Sequence, residues 1–532
     1  MCGIIVEWSG QNTIHKKVLK QLIRRGPDEY GCYRDKNIVM AHTRLSIVHP
    51  EAGAQPIRYK EWVLVVNGEI YNATPDVTET DCYALIQRIE SMPLTDALLS
   101  LDGIFSFVAY HSSGRIIVAR DPIGVTPLYY SDTQVSSLLT YISIGSARPV
   151  PPGHVADIQL GQPLRPECFV KWTRPYEPRV LRNPVFMMSN IMYQAVSKRL
   201  MGDVPWGVLL SGGLDSTIVA AIATEIAAEK RPDYPRVHSF CIGLKGSPDV
   251  EIAEKTAAIL GTHHTSVIFT LREGRAALKD VIRAIETYDV TTIRASVPMW
   301  LLGRALKRRG IKMVLSGEGS DELFAGYLYN LYCPNTDEMT AECKRKMDQL
   351  WAYDCLRANK TMGDWGVETR VPFLDNAVVD FAMNQLPPVY KMSGTHPDGP
   401  KPEKWWLRDQ FKSIVPDCVL NRTKAQFSDA VGSRWIQYLQ TLAETRVTDK
   451  QLASAAEKFP YQTPDTKEAY WYRQMFENMF SHVSDAEKTV LYQPSIACST
   501  AKAVEWHEAF RNHTDPSGTA VQMAIQSDSQ NL

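Results

Sequence analysis

From about residue 185 the chain alternates short apolar runs with stretches of helical periodicity, and no other feature narrows the fold as much. Asn190–Leu200 reads as a helix, Val204–Leu210 as a strand, Thr217–Glu229 as a helix, Val237–Gly243 as a strand, Val250–Leu260 as a helix and Lys312–Leu315 as a strand. Strands separated by helices of this length predict a parallel sheet covered on both faces. After Leu323 the text is mostly helical, and the end of the chain, DSQNL, reads as a frayed tail. Roughly the first 170 residues are different in kind. Short apolar runs such as Cys2–Trp8, Asn37–His42, Trp62–Val66, Ile104–Tyr110 and Arg115–Ala119 are cut by turn residues, which predicts a β-rich unit with few helices, one of them over Asp81–Glu90. Proline-rich text at Arg148–Gly153 and Arg174–Pro184 reads as a linker zone.

Composition supports a large globular chain and removes some classes of partner. With 58 Lys+Arg against 59 Asp+Glu in 532 residues, the net charge of −1 offers no electrostatic argument for binding nucleic acid or an anionic membrane. Ten cysteines are scattered without a C-x-x-C pair, the pattern of reduced thiols in a cytoplasmic protein. No apolar stretch reaches the ~18 residues that suggest a membrane span, because Asp215 and Glu225 interrupt Val204–Ala228.

Two constellations carry chemistry. In the first, Cys2 follows the initiator Met and precedes a glycine; removal of Met1 leaves a cysteine whose own α-amino group, with a pKa near 8, can take the thiol proton. Downstream lie Arg25-Gly26-Pro27-Asp28, His42-Thr43-Arg44-Leu45-Ser46-Ile47, Asn67-Gly68-Glu69-Ile70-Tyr71-Asn72 and Asp81. These residue types suit hydrolysis of a free glutamine amide. Arg44 can face the substrate α-carboxylate, Asp81 its α-ammonium, and the Asn67 amide with the Gly68 N–H can receive an oxyanion.

In the second, Ser211-Gly212-Gly213-Leu214-Asp215-Ser216 sits between a strand and a helix and offers backbone N–H groups to phosphate. It lacks the Lys of a Walker loop, so pyrophosphate rather than γ-phosphoryl chemistry is expected. A second strand end, Ser316-Gly317-Glu318-Gly319-Ser320-Asp321-Glu322, repeats the geometry, and Asp215 and Asp321 could share Mg²⁺ beside the phosphates. Lys424, in RTKAQFSD, could neutralise the leaving pyrophosphate.

The first constellation resembles the class-II, N-terminal-nucleophile glutamine amidotransferase domain, and SGGLDS resembles the PP-loop of ATP pyrophosphatases. Together with LLSGGLDS, VLSGEGSDELFAGY, RANK, GVETRVPFLD and KAQFSDAVG, they resemble the glutamine-hydrolysing asparagine synthetases of the B type across nearly the whole chain. The resemblance implies an α/β chain of two domains, an αββα sandwich over residues 2–172 and a parallel-sheet ATP pyrophosphatase with a helical C-terminal part over 185–515, with 516–532 as a tail. It implies Cys2 as nucleophile, Asn67 and Gly68 as oxyanion hole, and Arg44, Leu45, Ser46, Ile47, Val48, Asn67, Gly68, Glu69 and Asp81 as the glutamine pocket. Leu209, Ser211, Gly212, Gly213, Asp215, Ser216, Ile242, Ser316 and Gly317 would line the ATP site, with Glu318 and Lys424 catalytic and Asp215 and Asp321 on Mg²⁺. The implied activity hydrolyses glutamine, activates aspartate with ATP as β-aspartyl-AMP, and aminates it to asparagine. Glutamine, aspartate and ATP are then the expected partners, with no nucleic acid and no membrane, and self-association into a homodimer is left open.

Alternatives are a β-lactam synthetase-like cyclase, a non-catalytic relative of the fold and, for the first half alone, a phosphoribosyl-transferring amidotransferase. The intact Cys2 pocket argues against the first, the retained Asp215, Glu318 and Lys424 against the second, and SGGLDS against the third. Departures from the family pattern lie in the first half: Arg24 where a His is usual, Tyr83 where an acid is usual, 13 residues between Asn67 and Asp81, and a reduced segment at Ile144–Pro149.

Overall fold

The structure is a computed structural model that describes all residues except 9–15, 36, 74–79, 144, 178, 180–186, 231–235, 424–432, 493–497, 512–520, 522–524 and 526–532. Lys424 with the whole of KAQFSDAVG, part of the second proline-rich segment, Ile144 and nearly all of the expected tail lie outside the described residues.

The N-terminal half is built from two antiparallel sheets. One contains β1 (Gly3–Glu7), β2 (Glu29–Arg34), β3 (Val39–Arg44), β8 (Tyr129–Tyr130), β9 (Gln134–Ser136) and β10 (Arg148–Pro149), in the order β10-β8-β9-β1-β3-β2. The other contains β4 (Ile57–Tyr59), β5 (Trp62–Ile70), β6 (Gly103–His111), β7 (Arg115–Arg120), β11 (His154–Gln159) and β12 (Phe169–Lys171), in the order β12-β11-β7-β6-β5-β4. Alternate side chains of the two sheets meet face to face, Ile4, Val6 and Met40 of the first packing with Val63, Val65, Val108 and Val118 of the second. The opposite face of the second sheet (Leu64, Val66, Phe105, Phe107) is covered by Leu85, Ile86 and Ile89 of α2 (Tyr83–Ser91) and by α3 (Leu94–Leu99). On the outer side of the first sheet, Ile5 and Ala41 pack on Leu22 of α1 (Lys16–Arg25). Burial on both faces explains why Ile4–Val6 of β1 and Val39–Ala41 of β3 read as apolar runs without polar alternation. The layers are αββα.

In the second half, α4 (Met188–Arg199) precedes a five-stranded parallel sheet of β13 (Trp206–Leu209), β14 (His238–Leu244), β15 (His263–Phe269), β16 (Met313–Leu315) and β17 (Glu368–Arg370), in the order β15-β14-β13-β16-β17. Crossovers run through α5 (Leu214–Lys230), α6 (Pro248–Leu260), α7 (Leu271–Ile285) and α8 (Val290–Arg308). A reciprocal capping box at Thr270 and Glu273 starts α7, and Asp289 caps α8 through Thr292 N at 2.8 Å. Beyond β16 come α9 (Ser320–Leu323), α10 (Thr336–Gln349), α11 (Asp354–Gly363), α12 (Asn376–Asp380) and α13 (Trp405–Gln410).

The strand order grows one way from β13 to β15 and then restarts on its other side with β16. The carboxyl ends of β13 and β16 therefore flank a topological switch point, the place where open α/β sheets hold ligands. Several elements differ from expectation. Helix α5 starts at Leu214 rather than Thr217, so Asp215 stands in its first turn. Strand β5 runs on to Ile70, four residues past Val66, because Asn67–Ile70 keep pairing with β6. Strands β15 and β17 and helix α1 have no counterpart in the pattern read from the sequence. No described helix is long and apolar enough to cross a membrane.

Candidate active sites

The first site forms where β1 begins. Antiparallel pairing of Gly3 with Thr43 sets Cys2 beside the end of β3, and β5 brings Asn67, Gly68 and Glu69 alongside. Cys2 N donates to Asn67 Oδ1 at 2.8 Å, while the buried Asn67 Nδ2 has no hydrogen-bond partner among the described residues. An amide held by its oxygen with its N–H₂ unused is what an oxyanion hole requires. Gly68 is obligatory for packing, since a Cβ there would lie 2.0 Å from Ile104 O. Burial pushes the Cys2 thiol up, and the terminal charge and the Leu45 N–H partly oppose that. Met1 is in place, buried, with its α-ammonium 3.4 Å from Glu368 and its sulfur 3.0 Å from Asn359 Nδ2, so the Cys2 nitrogen is an amide here.

Other expected pocket residues are brought close but not all as foreseen. Asp81, just ahead of α2, accepts from Ile70 N at 2.7 Å and Thr80 Oγ1 at 2.9 Å, and burial raises its carboxyl. The Glu69 carboxyl is raised well above its ordinary range, chiefly by burial and next by Glu368, and it pairs with Arg370 at 3.1 Å. Arg44 is not a free fork. Its two Nη atoms donate to Glu29 Oε2 at 3.0 Å, Pro50 O at 3.0 Å, His49 O at 2.9 Å, Val48 O at 3.3 Å and Ala52 O. It thereby fixes the turn after Leu45–Val48, whose Ser46 N donates to Asp28 Oδ2 at 2.8 Å.

The second site opens at the switch point, in a cleft of about 1450 Å³ including its solvent-filled mouth. Leu209, Ser211–Ser216, Ile242, Ser316, Gly317, Glu318 and Asp321 all line it, so every described ATP-site expectation converges there. The SGGLDS turn is tied by Ser211 Oγ to Ser216 Oγ at 3.1 Å and by Ser216 Oγ to Gly213 O at 3.1 Å. Gly317 lets the second loop press on the first, because a Cβ there would meet Asp215 Cβ and Ser216 N at 2.9 Å. Glu318 pairs with Arg357 of α11 at 2.8 Å; burial raises its carboxyl and Arg357 counters that. Glu322, bonded by Tyr327 Oη, is pushed up to about 7 by burial.

A metal reading fits this donor set. Among the described residues no three of His, Cys, Asp and Glu converge as a self-sufficient centre. Mg²⁺ instead takes one or two carboxylates plus substrate phosphates, and Asp215 and Asp321 stand together beside the phosphate-binding turn.

Sequence reasoning missed the buried charges that join the halves. Arg25 Nε donates to Cys2 O at 3.1 Å and its Nη2 to Asn359 Oδ1 at 2.8 Å, while Asn359 Nδ2 also reaches Val125 O at 3.0 Å. Helix α11 thus presents Arg357 to one site and Asn359 to the other. Next to them, Lys360 bonds Tyr129 Oη at 2.6 Å and pairs with Glu286, whose carboxylate also accepts from Leu139 N at 2.8 Å and Thr140 N at 2.9 Å. The unusual Arg24 bridges the halves too, pairing with Asp364 at 2.6 Å and lying 5.5 Å from the Trp365 ring centre. Nothing in the structure explains Tyr83. The cue for Lys404, described below, was the Glu-Lys pair before an apolar helix.

An αββα unit of the glutamine amidotransferase kind joined to a PP-loop α/β unit defines the class of glutamine-dependent amide-forming ligases. The comparisons narrow that class. Residues 1–147 match the family model described as glutamine amidotransferase domain, and residues 188–335 and 331–508 match that described as asparagine synthase. Asparagine synthetase B (glutamine-hydrolyzing) of Escherichia coli K12 is 43% identical over 541 residues, spanning 96% of each chain. The glutamine-hydrolyzing asparagine synthetase of Zea mays is 43% identical over 97% of this chain and 93% of its own. That of Oryza sativa subsp. japonica, numbered 2, is 44% identical over 98% and 92%. The chain belongs to the asparagine synthase family, of the kind carrying an N-terminal glutamine amidotransferase domain.

Proposed function

We propose that this chain makes asparagine from aspartate, ATP and glutamine, with the glutaminase in residues 2–172 and the synthetase in 185–515. Once Met1 is removed, the Cys2 α-amine takes the thiol proton and Sγ attacks the glutamine amide carbon. Asn67 Nδ2 and the Gly68 N–H receive the oxyanion, ammonia leaves, and water hydrolyses the thioester to glutamate. Glu69 and Asp81 face the substrate ammonium, and Arg44 shapes the loop that closes over it. In the second site the aspartate β-carboxylate attacks the α-phosphate of ATP, giving β-aspartyl-AMP and pyrophosphate, and ammonia then displaces AMP. The SGGLDS turn grips the phosphates and Glu318, braced by Arg357, orients the reacting aspartate. Asp215 and Asp321 would hold Mg²⁺, which screens the phosphate charge when bound. Lys424 is assigned to the leaving pyrophosphate on its motif. The setting is cytoplasmic, where the thiols stay reduced.

The observation that carries this reading is the pairing in one chain of the Cys2–Asn67 contact at 2.8 Å with the acidic switch-point cleft, bridged by α11. Incubation with aspartate, glutamine and ATP·Mg²⁺ should give asparagine, glutamate, AMP and pyrophosphate; formation of ADP, or a cyclised product, contradicts it.

A further inference from the structure

The two carboxylates assigned to Mg²⁺ already share a cation. Lys404 Nζ lies 2.6 and 2.7 Å from the two oxygens of Asp215 and 2.6 Å from Asp321 Oδ1, with Ser320 Oγ at 3.3 Å. The ammonium thus donates to Asp215 on one loop and to Ser320 on the other, and forms an ion pair with Asp321. The lysine is delivered there by construction. It takes a left-handed backbone (φ 53°) at the start of α13, and the neighbouring Glu403 is held by Arg408. The path of its side chain is open only because residue 326 is glycine: a Cβ there would lie 1.9 Å from Lys404 Cε and 2.2 Å from Asp321 Oδ1. The residue is 4% exposed, so little solvent shares the task of neutralising the pair.

Two carboxylates drawn together in so enclosed a place repel unless a cation joins them. The ammonium removes that repulsion, and it also removes most of the attraction a bare divalent cation would find. ATP changes the balance, because its phosphates offer the ammonium a second anionic partner and complete the metal's oxygen shell. We propose that Lys404 is a positioning residue that holds Asp215 and Asp321 together in the nucleotide-free site and bars divalent metal until it arrives with ATP. This rests on the metal reading of Asp215 and Asp321 above.

The test is titration of the full-length protein with Mn²⁺, followed by the paramagnetic resonance of free Mn²⁺, with and without α,β-methylene-ATP. Wild type should bind Mn²⁺ with the analogue and at least about tenfold more weakly without it, whereas Lys404→Met should bind Mn²⁺ alone at least about tenfold more tightly than wild type alone. In melting experiments without nucleotide, Lys404→Met should melt below wild type and be raised by MgCl₂, with wild type unmoved. Equal Mn²⁺ affinity of wild type with and without the analogue overturns the proposal, and that arm needs no variant to fold. So does a Lys404→Met protein no tighter than wild type. Asp321→Asn separates the two levels: if analogue-dependent Mn²⁺ binding survives it undiminished, the metal reading itself is wrong.

Discussion

Replacing Asn67 by alanine removes two things the structure ties to one side chain. The first is the Oδ1 that accepts Cys2 N at 2.8 Å; the second is the buried Nδ2, which has no partner among the described residues. Only the second serves the transition state directly, since the ground-state amide oxygen has not yet gained charge. Loss of a single oxyanion donor costs about 3–4 kcal/mol, so kcat for glutamine hydrolysis should fall ~10²–10³-fold with KM changed less than about threefold. Asn67→Asp keeps an acceptor for Cys2 N but places a carboxylate beside Glu69 and Glu368, so it should lose at least as much and also melt lower. Steady-state glutaminase kinetics, paired with ammonia-supported asparagine synthesis, make the assay. Synthesis from ammonia should persist in Asn67→Ala because the switch-point cleft is untouched. A kcat within about threefold of wild type, or a loss confined to KM, would refute the oxyanion assignment.

Gly68→Ala must part β5 from β6 to clear the 2.0 Å approach to Ile104 O, and should lower the melting temperature by several degrees; an unchanged melt contradicts that packing. Asn359→Ala frees Arg25 from α11 and should slow glutamine hydrolysis about tenfold while ammonia-supported synthesis changes far less, a split that equal losses in both reactions would disprove. Burial holds Lys360 down at about 8, below its ordinary 10.5, so between those values the unfolded chain binds more protons at this site and stability gained there rises with pH. Lys360→Met should flatten that rise, seen as a smaller change in melting temperature between pH ~8 and pH ~10; an unaltered slope sinks the assignment. Glu318→Gln should abolish asparagine formation from either nitrogen source and leave glutamine hydrolysis running; retained synthesis would remove Glu318 from the reaction.

Much of the fold is legible in the amino-acid sequence. The alternation after residue 185 yields a parallel sheet because each crossover helix leaves a periodic trace, and the glycine-rich strand ends reveal themselves locally. Cys2, Asn67 and Asp81 come together through strand pairing that the β-rich text implies but does not register. The three-residue β17 is too short to show a period, and β15, HHTSVIF, is a half-exposed edge strand with little apolar signal. The buried charges stayed hidden for another reason. Arg25, Lys360, Arg370 and Lys404 look like ordinary surface residues, since a sequence shows charge but not burial, and the partners of Arg25 and Lys404 lie 334 and 189 positions away. Arg44 is the converse case, a cation whose motif offers it to a substrate carboxylate while the fold engages it with its own loop.

In the proposed reaction, nitrogen released at Cys2 becomes the amide of asparagine formed at Asp215, Glu318 and Asp321. Glutamine labelled with ¹⁵N at the amide, supplied with aspartate, ATP·Mg²⁺ and unlabelled ammonium, tests it by mass spectrometry of the asparagine produced. Wild type should place ¹⁵N in asparagine, and Cys2→Ala should make only the unlabelled product from ammonium. Labelled asparagine from Cys2→Ala, or none from wild type, would contradict the account.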